Sequence, residues 1–325
     1  MKKIIFIALT ILFAFKIQAQ NVQSDKQAIA LSKEIFKIIK NNSLFTDELN
    51  WKNIETESKA LALVKNDSNN KKYIYDFYTK KLKDVGDEHS FFVSKSLNNI
   101  KNSPTPESPT LESPQGEYLG DGIGWIKVPN YMYFDEKKDI DFANTIRSII
   151  KKIDTENTII GWIVDLRHNT GGNMGPMLVG LNALIEDGTT GYFVKGKRKT
   201  PWLNEYSKIL DKQVASLNTY KIKNKNSKIA ILFDGMTASS GEVTAVSFFG
   251  LPNVKSFGQK SKGLTTGNSA FYLSNEDLLL LATDYIMDRT GKIYKEELTP
   301  DVFVSDLSNT KNDQVVNTAI KWLSE

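Results

Sequence analysis

The chain has 325 residues, 40% of them apolar and 25% charged, with a formal net charge of +4. These are the proportions of a soluble globular protein. The basic excess is too diffuse for a nucleic-acid surface and no aromatic-plus-Arg pattern accompanies it, so nucleic acid is not an expected partner. Cysteine is absent, which excludes disulfides, thiolate catalysis, Cys-based metal sites and lipid attachment at cysteine.

The chain opens on a basic "MKK", then the apolar run "IIFIALTILFAF", then "IQA" before Gln20. That order predicts a secretory signal peptide over residues 1–19, cleaved after Ala19, and hence a periplasmic or secreted protein. The run falls short of the roughly 20 apolar residues a membrane span requires, so no stable membrane insertion is expected after cleavage.

Residues 20–92 form the expected N-terminal helical domain. In "DKQAIALSKEIFKIIK", Ala28, Leu31, Ile35, Ile38 and Ile39 recur at helical spacing. "IETESKALALVK" and "KKYIYDFYTKKLKDV" behave alike, giving a small bundle that ends near Val85. Residues 93–117 hold four of the nine prolines, at 104, 106, 109 and 114. Proline fixes φ and lacks an N–H, which predicts a linker or extended loop; a flap over a site is the alternative.

Over residues 118–325 the pattern changes. "GIGWIKVPNY" is a strand and "IDFANTIRSIIKKI" an amphipathic helix. "TIIGWIVDLR" and "SKIAILFDG" are continuous apolar runs of the kind buried on both faces of a parallel sheet. Helices "GPMLVGLNALIE" and "SGEVTAVSFFG" follow them. "NSAFYLS" and "DLLLLATDYIMD" make two strands with a turn between. Strands alternating with helices imply βαβ units.

The candidate chemistry gathers at two strand-to-helix turns. "DGMTASSGE" places Ser239 and Ser240 at a helix start, where either a helix cap or a nucleophile suits the same residue types. "DLRHNTGG" brings Gly171 and Gly172 to another helix start, whose bare N–H groups can stabilise an oxyanion. Neither a P-loop nor a full dinucleotide glycine motif is present. The chain has only two histidines, His89 and His168, so an imidazole base for a serine is one of them. His168 reads as an ordinary polar loop residue.

Together these segments resemble the tail-specific, C-terminal processing peptidase and tricorn-core group of serine proteases. "WIVDLRHNTGG" is similar to that family's DLRxNxGG strand-turn, and "DGMTASSGE" to its TASASE nucleophile turn. "VGDEHSFFV" is similar to its D-G-H-[ST] segment, "GQKSKGLTTGN" to a glycine-rich strand-turn, and "YKEELTPDVFV" to its closing Pro-Asp segment. The resemblance covers about residue 40 to the end. It implies an α/β fold, a crotonase/ClpP-like spiral core of βαβ units preceded by a small helical bundle, acting on peptide or unfolded protein with no cofactor and no metal.

The resemblance also implies roles. Ser239 would be the nucleophile, with the N–H of Ser240 and that of Gly171 or Gly172 as oxyanion donors. One branch of the family uses a lysine about 25 residues after the serine, but Leu264 stands there, with Lys260 and Lys262 nearby. The tricorn-like branch takes a histidine from the D-G-H segment, which maps to His89; Asp87 is kept and Glu88 replaces the usual glycine. The acid that orients the imidazole maps to Glu296 or Glu297, with Glu296 preferred. The 93–117 segment is too short for a PDZ module, so a substrate would lie along an exposed strand edge. The expected activity is that of an exported serine endopeptidase, and a catalytically inactive peptide- or apolar-ligand-binding protein on the same core is the alternative.

Overall fold

The computed structural model describes residues 26–64, 70–95, 112–133, 135–185, 188–203, 220–305 and 313–325. The expected signal peptide and most of the Pro-rich segment lie outside the described residues. The chain divides into two compact units: Met1–Ile100 with Asn268–Thr283, and Lys101–Gly267 with Asp284–Glu325.

In the first unit, helices over residues 26–42 (α1), Trp51–Val64 (α2) and Asn70–Lys83 (α3) precede the short strand Phe91–Val93 (β1). The periodic apolar residues of α1 and α3 meet: Ala28, Leu31, Ile35 and Ile39 pack with Ile74, Tyr78 and Leu82. Leu273, Leu279 and Leu281 complete that core. Leu273 directly follows the strand Thr266–Tyr272 (β9), and Leu279 and Leu281 lie in the strand Leu278–Asp288 (β10); both strands run across the division between the units. β1 pairs antiparallel with the first part of β10, with Phe92 opposite Leu279.

The second unit is built on a sheet ordered β12-β8-β7-β4-β3-β2. Its strands are Gln115–Gly120 (β2), Ile123–Lys127 (β3), Gly161–Asp165 (β4), Lys228–Phe233 (β7), Val254–Gly258 (β8) and Val302–Phe303 (β12); the antiparallel hairpin Thr189–Lys195 (β5) and Arg198–Leu203 (β6), and the short strand Ile293–Tyr294 (β11), join the end of β10 instead. All neighbours are parallel except the β2–β3 edge pair. β4 and β7 bury both faces, as their unbroken apolar runs predict. Trp162, Val164, Ile229 and Ile231 face the helix Glu136–Glu156 (α4) through Ile146, Ile150 and Ile153. The alternate residues Ile163, Ala230 and Leu232 face the helix Gln314–Ser324 through Val315, Ala319 and Leu323. The fold is therefore α/β, with βαβ crossovers.

This architecture fixes the site. β4 and β7 are adjacent and parallel, so the turns that leave their C-terminal ends emerge side by side. Each leads into a helix, Met174–Gly180 (α5) after β4 and Ser240–Val246 (α6) after β7. The outer crevice at such strand ends is where open α/β sheets place ligands.

Candidate active site

The turn after β7 holds Ser239 at φ 52°, ψ −118°. Gly241 N–H donates to the Ala238 carbonyl at 2.9 Å, so Ser239 occupies the second position of a II′-type turn that normally demands glycine. A non-glycine residue in that region costs on the order of 1–3 kcal/mol and persists only where its surroundings enforce it. One enforcing contact is Glu242, whose Oε2 accepts the Ser239 N–H at 2.7 Å. A second is Thr237, whose hydroxyl donates to the Leu166 carbonyl at 2.9 Å.

The turn after β4 is held against the first by Asn169, which is fully buried. Its backbone carbonyl accepts the Ala238 N–H at 2.9 Å. Its side-chain amide donates to the Val128 and Pro129 carbonyls at 3.0 and 3.1 Å. Its Oδ1 accepts the Gly171 N–H at 2.9 Å. The two turns leave no room between them: a Cβ on Gly171 (φ +101°) would stand 2.9 Å from the Ser239 Cβ and 3.1 Å from the Ser240 nitrogen.

The Gly171–Gly172 peptide is oriented from the other side by Tyr131. Tyr131 N–H donates to the Gly171 carbonyl at 3.1 Å, and the Tyr131 carbonyl accepts from Asn173 N–H at 2.7 Å. In a trans peptide the N–H points opposite to the C=O, so the Gly172 N–H is turned away from Tyr131. Neither it nor the Ser240 N–H makes a hydrogen bond among the described residues. The Ser240 hydroxyl donates to the Gly172 carbonyl at 2.5 Å. Ser239, Ser240, Gly171 and Gly172 are thus brought together, and two of the four carry unengaged donors.

The acidic candidates also lie in the second unit. Glu297 is committed to Lys260, Oε1 to Nζ at 2.7 Å. The Glu296 carbonyl accepts the Thr265 hydroxyl at 3.0 Å, and its exposed carboxylate makes no hydrogen bond among the described residues. Leu264 stands in the loop after β8, where Lys262 is exposed and donates its backbone N–H to the Thr237 carbonyl at 2.9 Å.

His89 belongs to the first unit. It sits in a turn built by Asp87, whose carboxylate accepts the backbone N–H of His89 (3.1 Å), that of Ser90 (2.9 Å) and the Ser90 hydroxyl (2.6 Å). Asn268 donates to the His89 carbonyl at 2.8 Å. Burial raises the Asp87 carboxyl above its usual range while those hydrogen bonds pull it down. Glu88 points outward and pairs with Lys83 at 3.5 Å. His168, at φ 63°, is exposed, and its Nδ1 lies 3.2 Å from both Asp234 Oδ2 and Met236 Sδ.

Three contributors were not singled out by sequence: the Asn169 side chain, the Ser240 hydroxyl, and the reach of Glu242 beyond its helix. The Asn-x-Gly spacing at 169–171 is an Asx-turn signal that could have pointed to the first. Among the described residues no group of three or more His, Asp or Glu side chains is placed to hold a metal, and no helix is long and apolar enough to cross a membrane.

The model of peptidase family S41 matches residues 122–304, over half of the chain. The chain is 33% identical over 282 residues to the nisin-resistance protein of Lactococcus lactis, covering 86% of this chain and 82% of that protein. Among solved structures it resembles a lipoprotein from Streptococcus agalactiae, with a TM-score of 0.74, 26% identity, and 91% and 96% of the two chains covered. It shares the fold of the photosystem II D1 C-terminal processing protease, with a TM-score of 0.58, 13% identity, and 92% and 97% covered.

Proposed function

The chain belongs to peptidase family S41, and from that premise we propose that it is an exported serine endopeptidase that hydrolyses peptide bonds through an acyl-enzyme on Ser239. The observation that carries this reading is the pair of unengaged N–H groups, Ser240 and Gly172, beside a serine held in a glycine-type turn. Donors aimed where charge develops are the largest single contribution in acyl transfer. Of the two glycines, Gly172 is assigned as the second donor, because the Gly171 N–H is already given to Asn169 Oδ1.

In the proposed reaction Ser239 Oγ attacks the peptide carbonyl while His89 takes its proton. The imidazolium then returns that proton to the leaving amine, and water repeats the sequence to release the acid. His89 is assigned as base because no lysine stands at Leu264 and the only other histidine, His168, is engaged with Asp234. Glu296 is assigned as the acid that orients the imidazole, since Glu297 is held by Lys260.

The substrate class is peptide. The relative's name makes nisin the first substrate to assay, and the lipoprotein neighbour supports an exported, cell-envelope location. The deciding experiment is labelling with a fluorophosphonate probe. Labelling of the wild type that disappears in Ser239→Ala supports the reading; a folded wild type that is never labelled sinks it and leaves a binding protein on this core. Full activity in His89→Ala would remove the imidazole assignment, with Lys262→Ala as the comparison.

A further inference from the structure

We propose that Glu242 is a positioning residue that fixes the Ser239 turn in register with the segment carrying Glu296; this rests on the peptidase reading. Glu242 is fully buried. Its position alone would make it a cap of α6, and one of its oxygens does act so, Oε2 accepting the Ser239 N–H at 2.7 Å. Its other oxygen reaches out of the helix into the loop after β8. There Oε1 accepts the Ser261 hydroxyl at 2.5 Å and the Gly263 N–H at 2.8 Å.

That loop is itself zipped to the candidate acid segment. Ser261 N–H donates to the Leu298 carbonyl at 3.0 Å, and Leu298 N–H returns a bond to Ser261 Oγ at 2.8 Å. Thr265 holds the Glu296 carbonyl, and Lys260 holds the Glu297 carboxylate. One carboxylate therefore bonds both the turn at 239 and the loop at 261–263, and through that loop it is tied to the segment at 296–298. Where other branches of the resemblance place a lysine, this chain has a loop clamped by Glu242.

The clamp takes the ionised carboxylate, the form that prevails above about pH 7. Its partners are two backbone N–H groups and one hydroxyl, all donating, and backbone donors cannot become acceptors. Ser261 Oγ already receives the Leu298 N–H, so its own hydrogen points to Glu242. A glutamine of the same shape would set an N–H against an N–H at one end or the other. Glu242→Gln thus removes the clamp without leaving a cavity, and small displacements of a reacting group are costly even when the fold survives.

The test compares wild type and Glu242→Gln by steady-state cleavage of a fluorogenic peptide and by amide hydrogen exchange. The expected result is a fall in kcat of roughly 10²-fold with KM unchanged, and faster exchange at 260–265 and 296–298. Unchanged kcat, a change confined to KM, or unchanged exchange in those segments overturns the proposal. Should Glu242→Gln fail to fold, Ser261→Ala removes only the hydroxyl between Glu242 and Leu298. A smaller fall in kcat with the same exchange pattern is then expected, and none overturns it. A wild type with no cleavage and no fluorophosphonate labelling defeats the peptidase reading instead, and the exchange comparison still decides whether Glu242 couples the three segments.

Discussion

The Ser240 hydroxyl donates to the Gly172 carbonyl, so the residue after the candidate nucleophile also fastens the loop that carries the proposed second oxyanion donor. Ser240 therefore has two separable parts: a backbone N–H at the helix start and a hydroxyl that sets the neighbouring turn. Ser240→Ala keeps the first and deletes the second. Losing a partner for a buried carbonyl costs about 1–3 kcal/mol. A loosened donor costs less rate than a deleted one, which is worth about 10²–10³. The expectation is that Ser240→Ala is still labelled at Ser239 but roughly tenfold more slowly. Labelling at the wild-type rate would show that the hydroxyl does not matter to the turn.

The glycine pair separates by a second experiment. A Cβ on Gly171 would press on the Ser239 Cβ and the Ala238 carbonyl, both at 2.9 Å, whereas a Cβ on Gly172 would collide with the Tyr131 carbonyl. Both glycines have φ above 100°, so alanine is strained at either site by about 1–3 kcal/mol. Gly171→Ala strikes the Ser239 turn directly, and Gly172→Ala drives Tyr131 off Asn173. Both variants should lose labelling and melt several degrees below wild type, by thermal unfolding followed with circular dichroism. A Gly172→Ala protein that labels normally would remove Gly172 from the donor assignment.

The parts of this arrangement legible in the sequence are those set by short-range rules. Unbroken apolar runs at 161–165 and 228–233 imply strands buried on both faces, and the glycines and small residues after them imply tight turns into helices. Choosing between Gly171 and Gly172 turns on the Asn169 side chain, whose bond to the Gly171 N–H the Asn-x-Gly spacing signals only once the turn is known to form. Glu242 reads locally as a cap because its partners at 261–264 lie about a fifth of a hundred residues away, joined only by the fold. The strand Leu278–Asp288 is continuous across the division between the two compact units, which falls between the polar neighbours Thr283 and Asp284 and is not announced by any turn or glycine.

Asp87 offers a test of the turn that presents His89. Its carboxylate accepts three hydrogen bonds, from His89 N–H, Ser90 N–H and the Ser90 hydroxyl, and Ser90 Oγ in turn accepts the Ala282 N–H at 2.8 Å. Asp87→Ala leaves those donors without their acceptor, at about 1–3 kcal/mol for each one that stays buried. Asp87→Asn keeps the shape and one accepting oxygen. The expected order of both melting temperature and peptidase kcat is wild type, then Asp87→Asn, then Asp87→Ala. Equal activity in all three would mean that the turn does not set the imidazole.

The buried Glu242 makes a signed prediction about pH. Burial, opposed by the hydrogen bonds from Ser261, Gly263, Ser239 and Leu264, pushes its carboxyl up from the ordinary 4.5 to about 7. A carboxyl raised in the folded state favours folding most where both states are protonated, below 4.5. That contribution is lost as pH rises through 7, because the unfolded chain ionises first. The amount is on the order of 3 kcal/mol over the whole window. Other carboxyls shift in both directions, Asp87 and Asp139 raised, Asp288 and Asp313 lowered, so the total curve mixes signs. The difference between wild type and Glu242→Gln isolates the one group. By denaturant unfolding, the stability of wild type relative to Glu242→Gln should be highest near pH 4.5 and fall up to pH 8. A difference that stays constant over that range would mean that Glu242 ionises at its ordinary pH, and one that rises with pH would mean that the clamp holds its carboxyl below that value; either overturns the prediction.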